Sequence, residues 1–241
     1  MDDQVRDLTI SGSGTAPGGD YRNVIINGSG NVQGDLQCQR LEINGSGKIL
    51  GNSKVVELIV SGSGVVEGNV TARKITINGN SRIEGNVTAE DLQINGTAKI
   101  TGTVHGETIK SYGILTANGE IEAEELIAEG RILVDGLCSA DRIDLKINGN
   151  LSRIREIGCS TLEVRRRPFA GFLSFLIRGI RKTGLTVDSI EGDEIYLEDT
   201  VARVVRGNSL VIGEGCDIEK AAYKNDYRQA DNAKVKSAVR E

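Results

Sequence analysis

Short alternations of apolar and polar residues run along most of the chain, as in Leu41-x-Ile43 and Val70-x-Ala72, and each is soon interrupted by glycine or Asn-Gly. A period of two marks strand rather than helix. The alternations recur in step. Leu41, Leu58, Ile75, Leu92, Ile109, Leu126 and Ile143 fall 17 residues apart, as do Val32, Ile49, Val66, Ile83, Ile100, Ala117 and Val134. A column of mostly small residues keeps the same step through Cys38, Val55, Ala72, Ala89, Gly106, Ala123 and Ala140. Glycines follow it twice over, from Gly28 to Gly130 and from Gly34 to Gly136. A unit of 17 residues with three very short strands cannot bury its apolar side alone. Stacked on copies of itself it predicts an all-β fold, a parallel β-solenoid of triangular section. Glycine is expected at its corners, where φ > 0 is needed.

The columns set the organisation of the chain. Residues 8–164 form the main β-helix of about ten rungs, with a slip of two near Ile143, Leu145 and Ile147. Leu8-Thr9-Ile10 before Ser11-Gly12-Ser13-Gly14 is its first copy, one residue out of phase. Residues 185–218 form short C-terminal rungs with a 15-residue step: Ile190, Gly192, Ile195 and Leu197 recur as Val205, Gly207, Leu210 and Ile212. Residues 219–241 read as a polar tail, frayed or weakly helical.

Residues 165–184 interrupt the pattern. They hold all three phenylalanines and six basic residues, Arg165, Arg166, Arg167, Arg178, Arg181 and Lys182, with no acid. Phe169, Phe172, Leu173, Leu176, Ile177 and Ile180 follow a helical stripe, which predicts one short amphipathic helical insertion. Pro168 suits its first turn. Three roles stay open. The helix caps the open end of the solenoid, or it lies on an anionic membrane surface, or it meets another copy or partner. The residues that would carry any of these are Arg165, Arg166, Arg167, Phe169, Phe172, Leu173, Phe175, Leu176, Ile180, Arg181 and Lys182.

Composition narrows the function. There are 31 glycines but only 2 prolines, and the glycines are not at every third place, so collagen is excluded. Eight aromatics among 241 residues (5 Tyr and 3 Phe) suit a narrow tube with no room for indoles. A net charge of −5 supplies no basic field for nucleic acid. Neither a signal peptide nor a spanning segment is expected. Asn-x-Thr triplets at Asn69 and Asn86 read as by-products of composition. Cys38 and Cys159 share one inward column and Cys138 lies in another, as core thiols; Cys216 sits in the last rung. His105, the only histidine, points outward, so neither a triad nor a metal site is expected. The acidic run Glu120, Glu122, Glu124, Glu125 and Glu129 reads as a solvated face. Gly-x-Gly pairs such as Gly28/Gly30 lead into strands rather than helices, so no phosphate loop follows. The chain reads as a non-enzyme with no cofactor.

The rungs VIINGSGNVQGDLQCQRLEINGSGKILG (24–51) and ITINGNSRIEGNVTAEDLQINGTAKITGTVHG (75–106) resemble the bactofilins, bacterial polymer-forming cytoskeletal proteins. The resemblance covers about residues 8–164 and, more weakly, 185–218. It implies a right-handed triangular β-helix that polymerises end to end, without nucleotide, into non-polar filaments that position partner proteins at the membrane. The chain departs from that plan in its longer array, its lack of proline-rich tails and its basic Phe-rich insertion. Physics also favours polymerisation, because a solenoid end exposes unpaired strand groups and an apolar section. Leu8, Ile10, Val24 and Ile26 at the N-terminal end are the predicted polymer contact. The expected partners are further copies of the chain, the inner membrane surface and cell-wall or motility proteins, in the cytoplasm. The alternative is a non-polymerising β-helical binding module or assembly factor for a cell-surface or motility apparatus.

Overall fold

The computed structural model describes residues 6–147, 151–166 and 184–241. Strands make up 80% of it, in a parallel β-solenoid with about 17 residues per rung. The chain divides into two compact units, residues 1–122 and 123–241. The first holds β1 (Leu8–Ile10), β2 (Ser13–Asp20), β3 (Asn23–Ile26), β4 (Ser29–Ile43), β5 (Ser46–Ile49), β6 (Ser53–Val60), β7 (Ser63–Val66), β8 (Val70–Ile77), β9 (Asn80–Ile83), β10 (Val87–Ile94), β11 (Thr97–Ile100), β12 (Val104–Ser111) and β13 (Ile114–Ala117). The second takes β14 (Ile121–Ile147) from Ala123 onward. It continues with β15 (Leu151–Arg166), β16 (Gly184–Leu197), β17 (Thr200–Ile212), β18 (Asp217–Gln229) and β19 (Lys234–Arg240).

In the first unit the sequence period becomes the strand register. Leu41 pairs with Leu58, Leu58 with Ile75, Ile75 with Leu92, and Leu92 with Ile109, all in parallel. Every one of these residues is buried, as are Ile43, Ile49, Ile77, Ile83, Ile94 and Ile100. A rung has three short sides. Ser46–Ile49 is one, and the pairing of β6 skips Val56, which divides that strand into the other two.

Two features hold successive rungs in step. The corner residue of one rung accepts the backbone N–H of the next. Asp35 Oδ1 accepts Asn52 N–H at 2.7 Å, Asn52 Oδ1 accepts Asn69 N–H at 2.9 Å, Asn69 Oδ1 accepts Asn86 N–H at 2.8 Å, and Asn86 Oδ1 accepts Thr103 N–H at 2.9 Å. The Asn-x-Thr triplets therefore have a structural reason. The other feature is a glycine column; the expected positive φ holds at its last member, Gly130, and at Gly34 of the second column, but not at its regular positions. Gly45, Gly62, Gly79, Gly96 and Gly113 do not have positive φ. They are glycine because a Cβ there would collide with the backbone of the rung before. At Gly62 it would lie 2.6 Å from the Asn44 carbonyl oxygen and 2.9 Å from the Gly45 carbonyl carbon.

In the second unit the step varies. Ile143 pairs with Leu162, a step of 19, where the columns slip by two. Ile190 pairs with Val205 and Ile195 with Leu210, the 15-residue step. Val205 then pairs with Ala221 and Leu210 with Tyr227.

Two expectations change. Residues 219–241 are neither frayed nor helical: β18 and β19 extend the sheet, with Ile218 paired to Val235 and Ala221 to Ala238. No helix occurs among the described residues. Of the insertion expected over 165–184, residues 167–183 lie outside them, while Arg165 and Arg166 complete β15 as strand and Gly184 opens β16.

Candidate functional site

With the interior filled by aliphatic side chains, the features left to carry function are the exposed strand edges and the side chains around Arg165 and Arg166, where β15 ends. At the N-terminal end, β1 pairs with β3 along one edge, Leu8 to Val24 and Ile10 to Ile26. Among the described residues no strand pairs with its other edge. Val24 and Ile26 are fully buried. Leu8 is half-buried and Ile10 keeps 9% exposure. Of the four predicted contact residues, the structure thus brings Leu8 and Ile10 to the end and seals Val24 and Ile26 beneath them. The edge is fixed from the side by Arg22, whose NH2 lies 2.6 Å from Asp7 Oδ2. The Asp7 carboxyl is held below its ordinary pKa by hydrogen bonding to Arg22.

At the C-terminal end, β19 pairs with β18 along one edge only, among the described residues. Here some columns turn polar, while others run on through Ile218 to Val235 and through Ala221 to Ala238. Tyr227 follows Leu210, Gln229 follows Ile212 and Tyr223 follows Gly207. The two tyrosine rings stack with centroids 5.0 Å apart. Tyr227 donates to Gln229 Oε1 at 2.7 Å, and Gln229 Nε2 donates to the Ala233 carbonyl at 2.9 Å.

The root of the basic segment is the most tightly cross-linked surface feature. Arg166 is paired with both carboxylate oxygens of Asp199, and its backbone N–H donates to Glu198 Oε2 at 2.8 Å. Asp199 has φ 45°, alone among the described non-glycine residues in that region. Its carbonyl accepts the Leu185 N–H at 3.1 Å, which ties the return of the chain to the same point. Arg165 lies over the Tyr196 ring at 4.7 Å and pairs with Glu163. Both predicted arginines are thus engaged with side chains of the sheet. Arg167, Phe169, Phe172, Leu173, Phe175, Leu176, Ile180, Arg181 and Lys182 lie outside the described residues. Asp199, Glu198 and the Tyr223–Tyr227 pair were not singled out from sequence. The break in period at Arg165 marks their neighbourhood, but a pairing between residues 33 apart leaves no local signal.

The groups with reactive chemistry are placed for structure. Cys38, Cys138 and Cys216 are buried, whereas Cys159, expected in the core, is partly exposed beside a groove of about 420 Å³. Burial pushes the thiols of Cys38, Cys138 and Cys159 up to about 12 and that of Cys216 to about 11, so they stay protonated and poorly nucleophilic at neutral pH. His105 is exposed, with Nδ1 3.3 Å from Glu122 Oε2. Among the described residues no helix is long and apolar enough to cross a membrane.

Comparison with known proteins bears on the regular rungs. The bactofilin model, described as polymer-forming cytoskeletal, matches residues 46–113. The chain belongs to the bactofilin family. The match falls within the regular rungs of the first unit. The chain is 57% identical over 238 residues to the uncharacterized protein YhbE of Bacillus subtilis, covering 99% of each. It is 38% identical over 106 residues to the uncharacterized protein YhbF of Bacillus subtilis, covering 44% of this chain and 42% of that one. No solved structure matches the chain. The family is a structural, cytoskeletal one.

Proposed function

We propose that this bactofilin is a cytoplasmic cytoskeletal scaffold that self-assembles end to end into nucleotide-independent filaments and positions partner proteins near the inner face of the membrane. The observation that carries the reading is the N-terminal edge, where β1 ends the aliphatic columns on Leu8 and Ile10. Unpaired N–H and C=O groups over an apolar section are a template for another chain. A second copy supplies the matching section. The interior offers no competing role, because it is packed with buried Val, Ile and Leu.

The membrane part rests on the +6 charge and the phenylalanines of residues 165–184. Basic residues near an anionic leaflet contribute about 1 kcal/mol each. Arg165 and Arg166 are already paired with acids of the sheet, so the remaining four basic residues and the three phenylalanines would carry it.

Pelleting of the purified full chain without nucleotide, with electron microscopy of the pellet, tests the scaffold reading. Filaments from the wild type and none from Ile10→Lys are expected; a wild type that stays in the supernatant refutes it. Co-sedimentation with anionic vesicles tests the membrane part. Weaker binding by Phe172→Glu is expected, and equal binding by both proteins counts against it.

A further inference from the structure

Asn-Gly pairs stand at Asn27, Asn44, Asn78, Asn95 and Asn118 among the described residues, each at a corner between strands. Asn-Gly is open to attack by the glycine nitrogen on the asparagine side-chain amide, because glycine puts no Cβ in the path. A fold suppresses this reaction in two ways. It holds the glycine N–H in a hydrogen bond, so that the nitrogen keeps its proton, and it holds the asparagine amide away from the backbone.

Four of the pairs share one corner column and have both restraints. The Gly28 N–H donates to the Ile10 carbonyl at 3.3 Å, Gly45 to Ile26 at 3.2 Å, Gly79 to Val60 at 3.1 Å and Gly96 to Ile77 at 3.1 Å. Asn44 Nδ2 donates to Asn27 Oδ1 at 2.9 Å, and Asn95 Nδ2 to Asn78 Oδ1 at 2.7 Å. Asn118 lies in another corner column and has neither restraint. Its side chain is exposed. Neither its amide nor the Gly119 N–H has a hydrogen-bond partner among the described residues. The corner ladder that starts at Asp35 delivers its last bond to the Thr103 N–H, and none to the Glu120 N–H follows. Only the flanks are tied. The Asn118 N–H donates to the Ile100 carbonyl at 3.0 Å, and the Glu120 carbonyl accepts the Val104 N–H at 2.8 Å.

We propose that Asn118–Gly119 is a self-modification site, where this chain deamidates and thereby opens a corner of its first unit. The Gly119 nitrogen loses its proton to water or hydroxide and bonds to Asn118 Cγ. The Cγ–Nδ2 bond breaks, ammonia leaves, and a cyclic imide remains. Water then adds to either imide carbonyl and breaks the bond of that carbonyl to the Gly119 nitrogen. The product is aspartate, or isoaspartate with the backbone routed through Cγ; nothing is oxidised or reduced. Both products add a negative charge near Glu120 and Glu122. Isoaspartate also inserts a backbone carbon between the two tied flanks, so the bonds at Asn118 and Glu120 cannot both keep their register.

Peptide mapping by mass spectrometry tests this on the full chain aged at mildly alkaline pH, folded and in denaturant. In the folded chain the amide-to-acid mass gain is expected about tenfold faster at Asn118 than at each of the other four, a ratio equivalent to about 1.4 kcal/mol of protection. In denaturant the five sites are expected to react alike. A folded-state rate at Asn118 no greater than at any of the four overturns the proposal. So does the same ratio persisting in denaturant, which would place the cause in the local sequence. Asn118→Gln, whose larger ring closes far more slowly, is the control for the opened corner. After identical ageing the wild type is expected to melt lower than this variant, and equal melting temperatures overturn the opening of the corner.

Discussion

The tetrapeptide Ser-Gly-Ser-Gly occurs at residues 11–14 and again at 61–64, and the same substitution in the two copies should have opposite outcomes. A Cβ at Gly12 meets nothing within 4 Å. At Gly62 it comes within 2.6 Å of the Asn44 carbonyl oxygen and nearer still to that of Gly45, where real Cβ contacts essentially never fall below 3.0 Å. The Gly45 carbonyl cannot yield freely, because it accepts the Ser63 N–H at 2.8 Å. Gly62→Ala therefore forces apart two backbone segments and weakens a ladder hydrogen bond. Overpacking costs about 1–3 kcal/mol, and the weakened bond about 1 kcal/mol more. For a chain of this size each kcal/mol moves the melting temperature by about 2–4 °C, so a loss of roughly 4–16 °C is expected. Gly12→Ala should be neutral or raise the melting temperature slightly, by restricting the unfolded chain. Thermal unfolding followed by circular dichroism or calorimetry reads both variants. Equal melting temperatures for the two would refute close approach as the reason for the glycine column.

Three further perturbations probe other layers of the structure. Asn69→Ala removes the acceptor of the Asn86 N–H and should cost about 0.5–1.5 kcal/mol by denaturant titration; no change would mean that the ladder adds nothing to the strand pairing. Ser53 is 1% exposed between Leu36 and Val70, and its hydroxyl has no partner. Ser53→Val should raise the melting temperature by a few degrees, through about 0.8 kcal/mol for each added buried carbon and the loss of an unsatisfied hydroxyl; a lowered value would mean the site is too small for valine. The thiols of Cys38 and Cys138 are raised from an ordinary value near 9 to about 12 by burial. The folded state holds their protons above the pH at which the unfolded state releases them. Their contribution is complete below pH 9 and is lost as the pH rises toward 12. Denaturant midpoints should fall between pH 8 and 10.5, and less so in Cys38→Ala with Cys138→Ala; identical slopes would remove the thiols as the cause.

The regular rungs were legible because each sequence column is also a spatial stack. Leu41, Leu58 and Ile75 are 17 apart in the chain and neighbours in the sheet, so the step gives the register directly. The same logic recovered the 15-residue step from Ile190 to Val205. It failed after Ile218, where Val235, Ala238 and Val239 still continue the columns but alanine, tyrosine and lysine in β18 and β19 dilute the apolar signal. For the corner glycines the pattern was visible but not its cause, because sequence cannot separate a positive φ from a close approach between rungs. At the ends, sequence located Leu8 and Ile10 but also named Val24 and Ile26, which the first rung covers. At the root of the basic segment, Arg166 and Asp199 meet across the break in the repeat, where no period reports a contact.

The central claim is that polymers of this bactofilin grow along the direction in which rungs stack. Fibre diffraction from aligned, nucleotide-free polymers of the full chain tests it directly. Strands perpendicular to the growth axis predict a reflection at about 4.7–4.9 Å along the fibre axis. The same spacing found across the axis would mean that copies associate side by side, and would contradict end-to-end assembly.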